Sequence, residues 1–195
     1  EEKMSLVLPR GFYANTDCAL VAQQLLGKTL VVEKPGYPKR VGRIVETEAY
    51  LGPHDLAAHS SKALTARTQI MFGEPGHVYV YLIYGMHHCL NVVTGPLGSG
   101  AAVLLRALEP VAGIQLGTHG PGRLTKAIAV DRTDNGQDLC GSQIYIEDNC
   151  LKQGEQIASS PRIGVDYAKE WAHALLRFYI QGNPFVSKPP RKKAT

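Results

Sequence analysis

Two glutamates in the stretch RIVETEAY, residues 43–50, have the chemistry and spacing of an acid–base site. Alternate residues of a β-strand point to the same side of a sheet, so Glu46, Glu48 and Tyr50 should share one face. A carboxylate at a partly buried position can act as a general base. If this face instead meets solvent, the two glutamates only solubilise the strand. The pattern alone leaves both interpretations open.

Aromatic side chains on two predicted hairpins and the loop between them could form a pocket beside this face. Tyr50, His59 and Tyr81 would meet if the two hairpins pack side by side. Stacking on flat rings contributes about 1–3 kcal/mol per nucleic-acid base, and electron-rich tyrosine rings favour a cationic ring. A histidine nitrogen can donate to or accept from the edge of a base. Each residue alone has a plainer interpretation: strand packing for Tyr81 and a loop histidine for His59.

The stretch YVYLIYGMHHCLN, residues 79–91, places Tyr84, Gly85 and Met86 at the tip of a hairpin. Large apolar side chains at such a tip would be exposed unless they meet a partner. Proteins that bind the DNA minor groove insert side chains of this kind between stacked bases. The tip therefore indicates a wedge for nucleic acid.

Basic residues in two other segments are candidates for contacts with anionic groups. Arg106 lies in the apolar strand AVLLRAL, where an unpaired guanidinium would be costly, so it should meet a carboxylate or a phosphate. Glu48 is the candidate carboxylate. The segment HGPGRLTKAI offers backbone amides at a helix start, with Arg123 and Lys126 nearby, which suits a phosphate. A simple junction between a loop and a helix explains the same residues.

The elements that must position these residues alternate between short strands and a few helices. NTDCALVAQQLLG has cap residues and helical spacing, and GPGRLTKAIAV begins a second helix. Strands are predicted in KTLVVE, RVGRIVETEAY, HVYVYLIY, HHCLNVV, AAVLLRALEP, SQIYIED and LRFYIQG, with a long polar connection over 52–75. We expect an α+β fold: a single compact domain over residues 1–195, with a mainly antiparallel β-sheet flanked by helices and a basic flexible tail from about residue 188.

Composition narrows the class of protein without identifying it. A chain of 195 residues suffices for one domain, and a net charge of +4 permits a polyanionic partner without requiring one. Four distant cysteines lack the spacing of a zinc site, so we expect reduced thiols and no metal. No apolar run approaches the roughly 20 residues that span a bilayer. These features predict an intracellular protein that is not membrane-bound.

Together the motifs resemble the alkyladenine (3-methyladenine) DNA glycosylase family. The resemblance is carried, in family order, by GRIVETEAYLGPHDLAAHS, MF, YVYLIYGMHHCLNVV, VLLRALEP, GPGRLTKA and RFYIQGNPFVS. It covers most of the chain, from about Leu20 to Ser187. It implies an enzyme of base excision repair that flips alkylated or deaminated purines out of double-stranded DNA and hydrolyses the N-glycosidic bond. The implied substrates are 3-methyladenine, 7-methylguanine, ethenoadenine and hypoxanthine.

The resemblance also implies how the reaction is carried out. Glu48 activates a water that Arg106 and the backbone carbonyl of Ile163 help to hold. A water nucleophile makes the enzyme monofunctional, without strand nicking. The family uses neither metal nor cofactor, and we expect a monomer, located in the cytoplasm with the nucleoid if bacterial and in the nucleus if eukaryotic.

Other matched positions bind the base or the DNA. Tyr50, His59 and Tyr81 correspond to the stacking pocket, and Asn91 to the side chain that crowds the exocyclic amino group of undamaged guanine. Tyr84 and Met86 correspond to the tip of a hairpin that is inserted into the minor groove. His87 and His88 depart from the larger aromatics of some relatives, which leaves the breadth of substrates open.

Two other classes of protein compete with this interpretation. Residues i and i+2 of a strand lie roughly 7 Å apart, so Glu46 and Glu48 could be the carboxylate pair of a sugar hydrolase. A non-catalytic nucleic-acid binding module would use the same aromatic and basic residues. The first predicts that both glutamates are essential, and the second that neither is.

Overall fold

A computed structural model of the chain describes residues 6–83 and 85–188. The helices are α1 (Arg10–Tyr13), α2 (Cys18–Leu25) and α3 (Pro121–Ala127), with 3₁₀ helices at His59–Ser61, Gln69–Phe72, Arg132–Asp134 and Asp166–His173. The strands are β1 (Thr29–Val32), β2 (Arg40–Tyr50), β3 (Val78–Ile83), β4 (His87–Thr94), β5 (Ala101–Ala112), β6 (Ile144–Glu147), β7 (Ile157–Ser160) and β8 (Arg177–Ile180). Tyr84 and the predicted tail after residue 188 lie outside the described residues.

These strands form one antiparallel sheet. Its main path has the order β3-β4-β5-β2-β1-β6, and β8 joins it by pairing with both β2 and β7. With the helices packed around it, the sheet makes a single α+β domain, which confirms the predicted fold class. Within the described residues, no helix is long and apolar enough to cross a membrane.

Strand β2 lies at the centre of this arrangement. On one edge of β2, its first residues, 40–43, pair with β1, and residues 46–48 pair with β8. On the opposite edge, β2 pairs with β5. The register with β5 shifts on either side of Glu46. A β-bulge of this kind bends a strand and re-aims side chains, and bulges are common next to active sites.

The two faces of β2 have different neighbours, as the alternation of its residues predicts. Thr47 donates from Oγ1 to the backbone oxygen of Ala22 in α2 at 2.8 Å. Val45 and Ala49 are fully buried in the main hydrophobic core, which the buried residues of α2 also join. Glu46 and Glu48 therefore point away from this helix, to the opposite side of the sheet.

Most predicted elements are present, and the differences are local. The connection over 52–75 contains two 3₁₀ helices, where the sequence suggests one short helix. The sequence did not predict α1 and β7, because each is only four residues long and neither has a periodic pattern of apolar residues. All four cysteines are free, as expected.

Candidate active site

Glu48 is fully buried and held at both of its carboxylate oxygens. Oε1 accepts a hydrogen bond from Oη of Tyr50 at 2.9 Å and a longer one from Nη1 of Arg106 at 3.4 Å. Oε2 accepts from the backbone N–H of Ile163 at 2.7 Å. The interpretation of this face as a solubilising, solvent-facing surface is therefore wrong. Glu48 is instead a buried carboxylate with a fixed orientation.

Arg106 lies between the two glutamates of β2. Its Nε donates to Oε2 of Glu46 at 3.1 Å, while Nη1 points to Glu48. Burial lowers the pKa of Arg106, but the carboxylates of Glu48 and Glu46 raise it by more, so this pKa lies above its ordinary value. Arg106 is consequently a permanent cation beside Glu48, as the apolar strand around it led us to expect.

The predicted base-binding residues line a common cavity. Its walls are Tyr50, His59, Met71, Tyr79, Tyr81 and Asn91. The ring centroids of His59 and Tyr81 lie 4.2 Å apart, and those of Tyr79 and Tyr81 lie 5.6 Å apart. Beside it lies a cleft of about 450 Å³, within the usual range for small-molecule sites. Tyr50, His59 and Tyr81 line both spaces, and Arg106 and Ile163 line the cleft.

His59 is neutral at neutral pH. Burial lowers its pKa to about 4, and the nearby charges of Arg67 and Lys62 act in the same direction. Its Nδ1 lies 3.1 Å from Oη of Tyr79, so the tautomer decides which of the two groups donates. In either tautomer, the second ring nitrogen is left to donate to or accept from a ligand. An uncharged imidazole does not repel a cationic ring.

Tyr50 has two functions in this geometry. Its ring lines the cavity, and its hydroxyl donates to Glu48. Burial raises the pKa of Tyr50 well above its ordinary value, and the charge of Glu48 adds to the effect. The hydroxyl therefore stays protonated and remains a donor to the carboxylate.

Asn91 is buried on β4, directly opposite Tyr79 on β3. Its Nδ2 donates to the backbone oxygen of Tyr79 at 3.2 Å. This bond fixes the amide against the wall of the cavity. The side chain is thus held in place in the lining of the aromatic cavity.

The β3–β4 hairpin ends in a tight turn with an exposed side chain. Gly85 has φ of +67°, a conformation that glycine adopts without strain, and the N–H of Met86 donates to the backbone oxygen of Ile83. The Met86 residue is 75% exposed. Tyr84 lies outside the described residues, so its function as a wedge stays a prediction.

The sequence did not predict a buried ion pair, Asp55–Arg162, that supports the site. Arg162 donates to both carboxylate oxygens of Asp55, at 2.6 and 3.0 Å, and both side chains are inaccessible to solvent. The guanidinium also lies 4.9 Å from the ring centroid of Tyr50. Because Arg162 directly precedes Ile163, this pair anchors the backbone that contacts Glu48. Their separation in the chain left no signal in the sequence.

Arg177, Tyr79 and Arg67 were also missed. Arg177 sits in the apolar run LRFYI, so the argument used for Arg106 would have identified it. Arg67 lies over the ring of Tyr81 at the edge of the cleft. The exposed Arg123 and Lys126 of α3 contribute no lining residue to the cleft as described, and phosphate binding there stays a prediction.

Comparison with known proteins identifies the family of the chain. The family model described as methylpurine-DNA glycosylase (MPG) matches residues 11–184. A protein of Legionella pneumophila strain Lens is 57% identical over 93% of this chain and 98% of its own length. A protein of Myxococcus xanthus strain DK1622 is 52% identical over 94% of each chain. Both relatives are provisionally named 3-methyladenine DNA glycosylase.

The matching family model and the names of these relatives show the class of protein: a DNA glycosylase, an enzyme of DNA repair. The chain belongs to the methylpurine-DNA glycosylase family, whose model covers most of its length.

Proposed function

We propose that the protein is a monofunctional glycosylase that flips alkylated or deaminated purines out of duplex DNA and hydrolyses their N-glycosidic bonds. The expected substrates are 3-methyladenine, 7-methylguanine, ethenoadenine and hypoxanthine. One observation carries the proposal: the buried carboxylate of Glu48 is hydrogen-bonded to Tyr50, Arg106 and Ile163, which all line one cleft beside the aromatic cavity. A flipped base in the cleft, against the rings that the cleft shares with the cavity, would bring its sugar close to the carboxylate.

Glu48 acts as the general base for a water. Each carboxylate oxygen can accept two hydrogen bonds, and Oε2 accepts one from Ile163, so it keeps the capacity to accept one from a water. Arg106 and the carbonyl of Ile163 hold this water. As the bond to the base breaks, the sugar gains oxocarbenium character, and the negative charge of Glu48 stabilises it. Bases alkylated at N3 or N7 are already cationic and leave without further protonation.

The aromatic rings that line both the cavity and the cleft bind the flipped base mainly through its flat faces. The rings of Tyr50, His59 and Tyr81 are the stacking surfaces, and tyrosine rings favour a cationic purine. Neutral His59 adds no opposing charge and offers a ring nitrogen to the edge of the base. Lesions that pair and stack poorly are flipped at lower cost, which supplies part of the selectivity without any specific hydrogen bond.

The β3–β4 hairpin is the proposed DNA wedge. The exposed Met86 at its turn supports insertion into the minor groove, with Tyr84 filling the space left by the flipped nucleotide. The protein would act as a monomer on double-stranded DNA inside the cell. A formal charge of +4 favours non-specific, salt-sensitive binding to the duplex.

The competing function of sugar hydrolysis fits the geometry less well. The described partners of the Glu46 carboxylate are Arg106, Arg177 and Ser187, and only Arg106 lines the cleft. The described partners of Glu48 all line it. A carboxylate held in this way is in no position to reach a substrate in the cleft. The two glutamates therefore do not form a pair across a glycosidic bond.

The proposal is tested by incubating the protein with a duplex that carries one ethenoadenine or one hypoxanthine. Abasic sites should form, and these appear as strand breaks on a denaturing gel only after treatment with alkali. An undamaged duplex of the same sequence is the control. Breaks before alkali would contradict the monofunctional mechanism. Tight binding to the lesion without any abasic sites would favour a non-catalytic binding module.

Asn91→Ser should extend the activity to guanine. The shorter side chain leaves room for the exocyclic amino group that the amide of Asn91 would otherwise meet, and so removes a repulsive contact. Guanine excision from a guanine–thymine mismatch should rise above that of the parent, while ethenoadenine is still excised. If the variant keeps its activity on ethenoadenine but gains none on guanine, Asn91 is not the filter.

A further inference from the structure

Glu46 is as deeply buried as Glu48, yet the proposed mechanism does not use it. The described residues direct four donors at its carboxylate. Nε of Arg106 and Nε of Arg177 reach Oε2 at 3.1 and 2.6 Å. Ser187 donates from its backbone N–H to Oε1 and from Oγ to Oε2, both at 2.9 Å. So many donors hold this carboxylate in one place.

The four charged side chains form a row that joins three strands. Arg177 on β8 contacts Glu46 on β2, Glu46 contacts Arg106 on β5, and Arg106 contacts Glu48 on β2. Two positive and two negative charges alternate, so each buried charge has an opposite neighbour. Of these four residues only Arg106 lines the cleft, and Glu48 is bonded to two further lining residues, Tyr50 and Ile163.

We propose that Glu46 is a positioning residue for the reaction, which acts by orienting the guanidinium of Arg106 toward Glu48 and the water. This inference deepens the proposed function and rests on it. A guanidinium is planar, so holding its Nε restricts the directions in which the two terminal nitrogens point. Glu46 holds Nε at 3.1 Å, and Nη1 then points to Glu48 at 3.4 Å.

Arg177 and Ser187 explain why the carboxylate of Glu46 binds Nε of Arg106 and does not also bind the terminal nitrogens of that guanidinium. They supply three of the four donors to its carboxylate. The described hydrogen bonds of Arg106 join Glu46 through Nε alone. Without the charge of Glu46, Arg106 would be free to turn fully onto Glu48. Such a rotation would withdraw it from the water.

A double-mutant cycle tests this inference by single-turnover excision of hypoxanthine. Glu46→Gln should slow excision by about 10–100-fold, the scale expected when a group near the reaction is misplaced by about 1 Å. Affinity for lesion DNA should stay within about twofold of the parent. In an Arg106→Ala background, Glu46→Gln should cost almost nothing more, because Glu46 acts through Arg106.

Glu147→Gln is the matched control, since it makes the same chemical change on β6, at a residue that is absent from the described lining of the cleft. Its excision rate should stay within about threefold of the parent. If Glu46→Gln fails to fold, Glu46→Asp keeps the charge but moves the carboxylate, and it should give the same pattern in the cycle. Rates of Glu46 variants close to the parent, or an effect that adds to that of Arg106→Ala, would overturn the inference. The proposed function fails separately, if the parent itself forms no abasic sites.

Discussion

Glu48→Gln should slow single-turnover excision by about 10²–10⁴-fold, the usual effect of losing a general base. The amide keeps the shape of the side chain but cannot take a proton from water or stabilise the cationic sugar. One of its polar atoms becomes a donor, which faces either the N–H of Ile163 or the donors at Oε1. The rate of abasic-site formation under enzyme excess measures the loss, and fluorescence anisotropy with lesion DNA measures the binding.

Binding should stay within a few-fold of the parent, because the aromatic cavity and the hairpin are unaltered. Glu147→Gln is a matched control: the residue lies on β6 and is absent from the described lining of the cleft. Its excision rate should equal that of the parent. Excision by Glu48→Gln within a few-fold of the parent would remove Glu48 from the mechanism.

Arg162→Met should produce the largest loss of stability among the variants considered. It leaves the carboxylate of Asp55 buried without its cation, and breaking a buried pair in this way costs about 3–5 kcal/mol. The bonds from Arg162 to the backbone oxygens of Ala49 and Trp171 are lost as well. For a domain of this size, the Tm should fall by about 6–20 °C. Urea denaturation measures the free energy of unfolding.

Arg123→Met provides the surface comparison, since Arg123 is exposed on α3 and should change stability by less than about 0.5 kcal/mol. Adding Asp55→Asn to Arg162→Met should recover part of the loss. The neutral amide no longer buries a charge, and its oxygen can still accept from the N–H of Leu51 or Ala57. A loss below about 1 kcal/mol for Arg162→Met would show that the pair does not hold this part of the structure together.

Local patterns in the sequence predicted much of the fold and part of the site. The alternation in RIVETEAY correctly placed Glu46 and Glu48 on one face, because this property depends only on neighbouring residues of a strand. The apolar run around Arg106 correctly implied a buried ionic partner. Both arguments need no knowledge of what the strand packs against.

Contacts between distant parts of the chain were beyond this reasoning. Whether the two glutamates meet solvent depends on residues far along the chain. Arg177, a partner of Glu46, lies 131 residues after it. Ile163, a partner of Glu48, lies 115 residues after it. Asp55 and Arg162 are separated by 107 residues, and neither stands out in its own segment. The gathering of Tyr50, His59 and Tyr81 around one cavity followed from the family resemblance, since their spacing alone left the packing of the hairpins open.

The strand that carries both glutamates has hydrogen-bonded neighbours on its two edges, with β5 on one side and β1 and then β8 on the other. Such a strand has no free edge from which to peel away, and its movement would disrupt the whole sheet. The sheet therefore holds the carboxylate of Glu48 in place, and under the proposed function the reacting bond has to be brought to it. The DNA, and not the strand, then has to deform when the two bind. How easily each base step bends would become part of the selectivity of the enzyme.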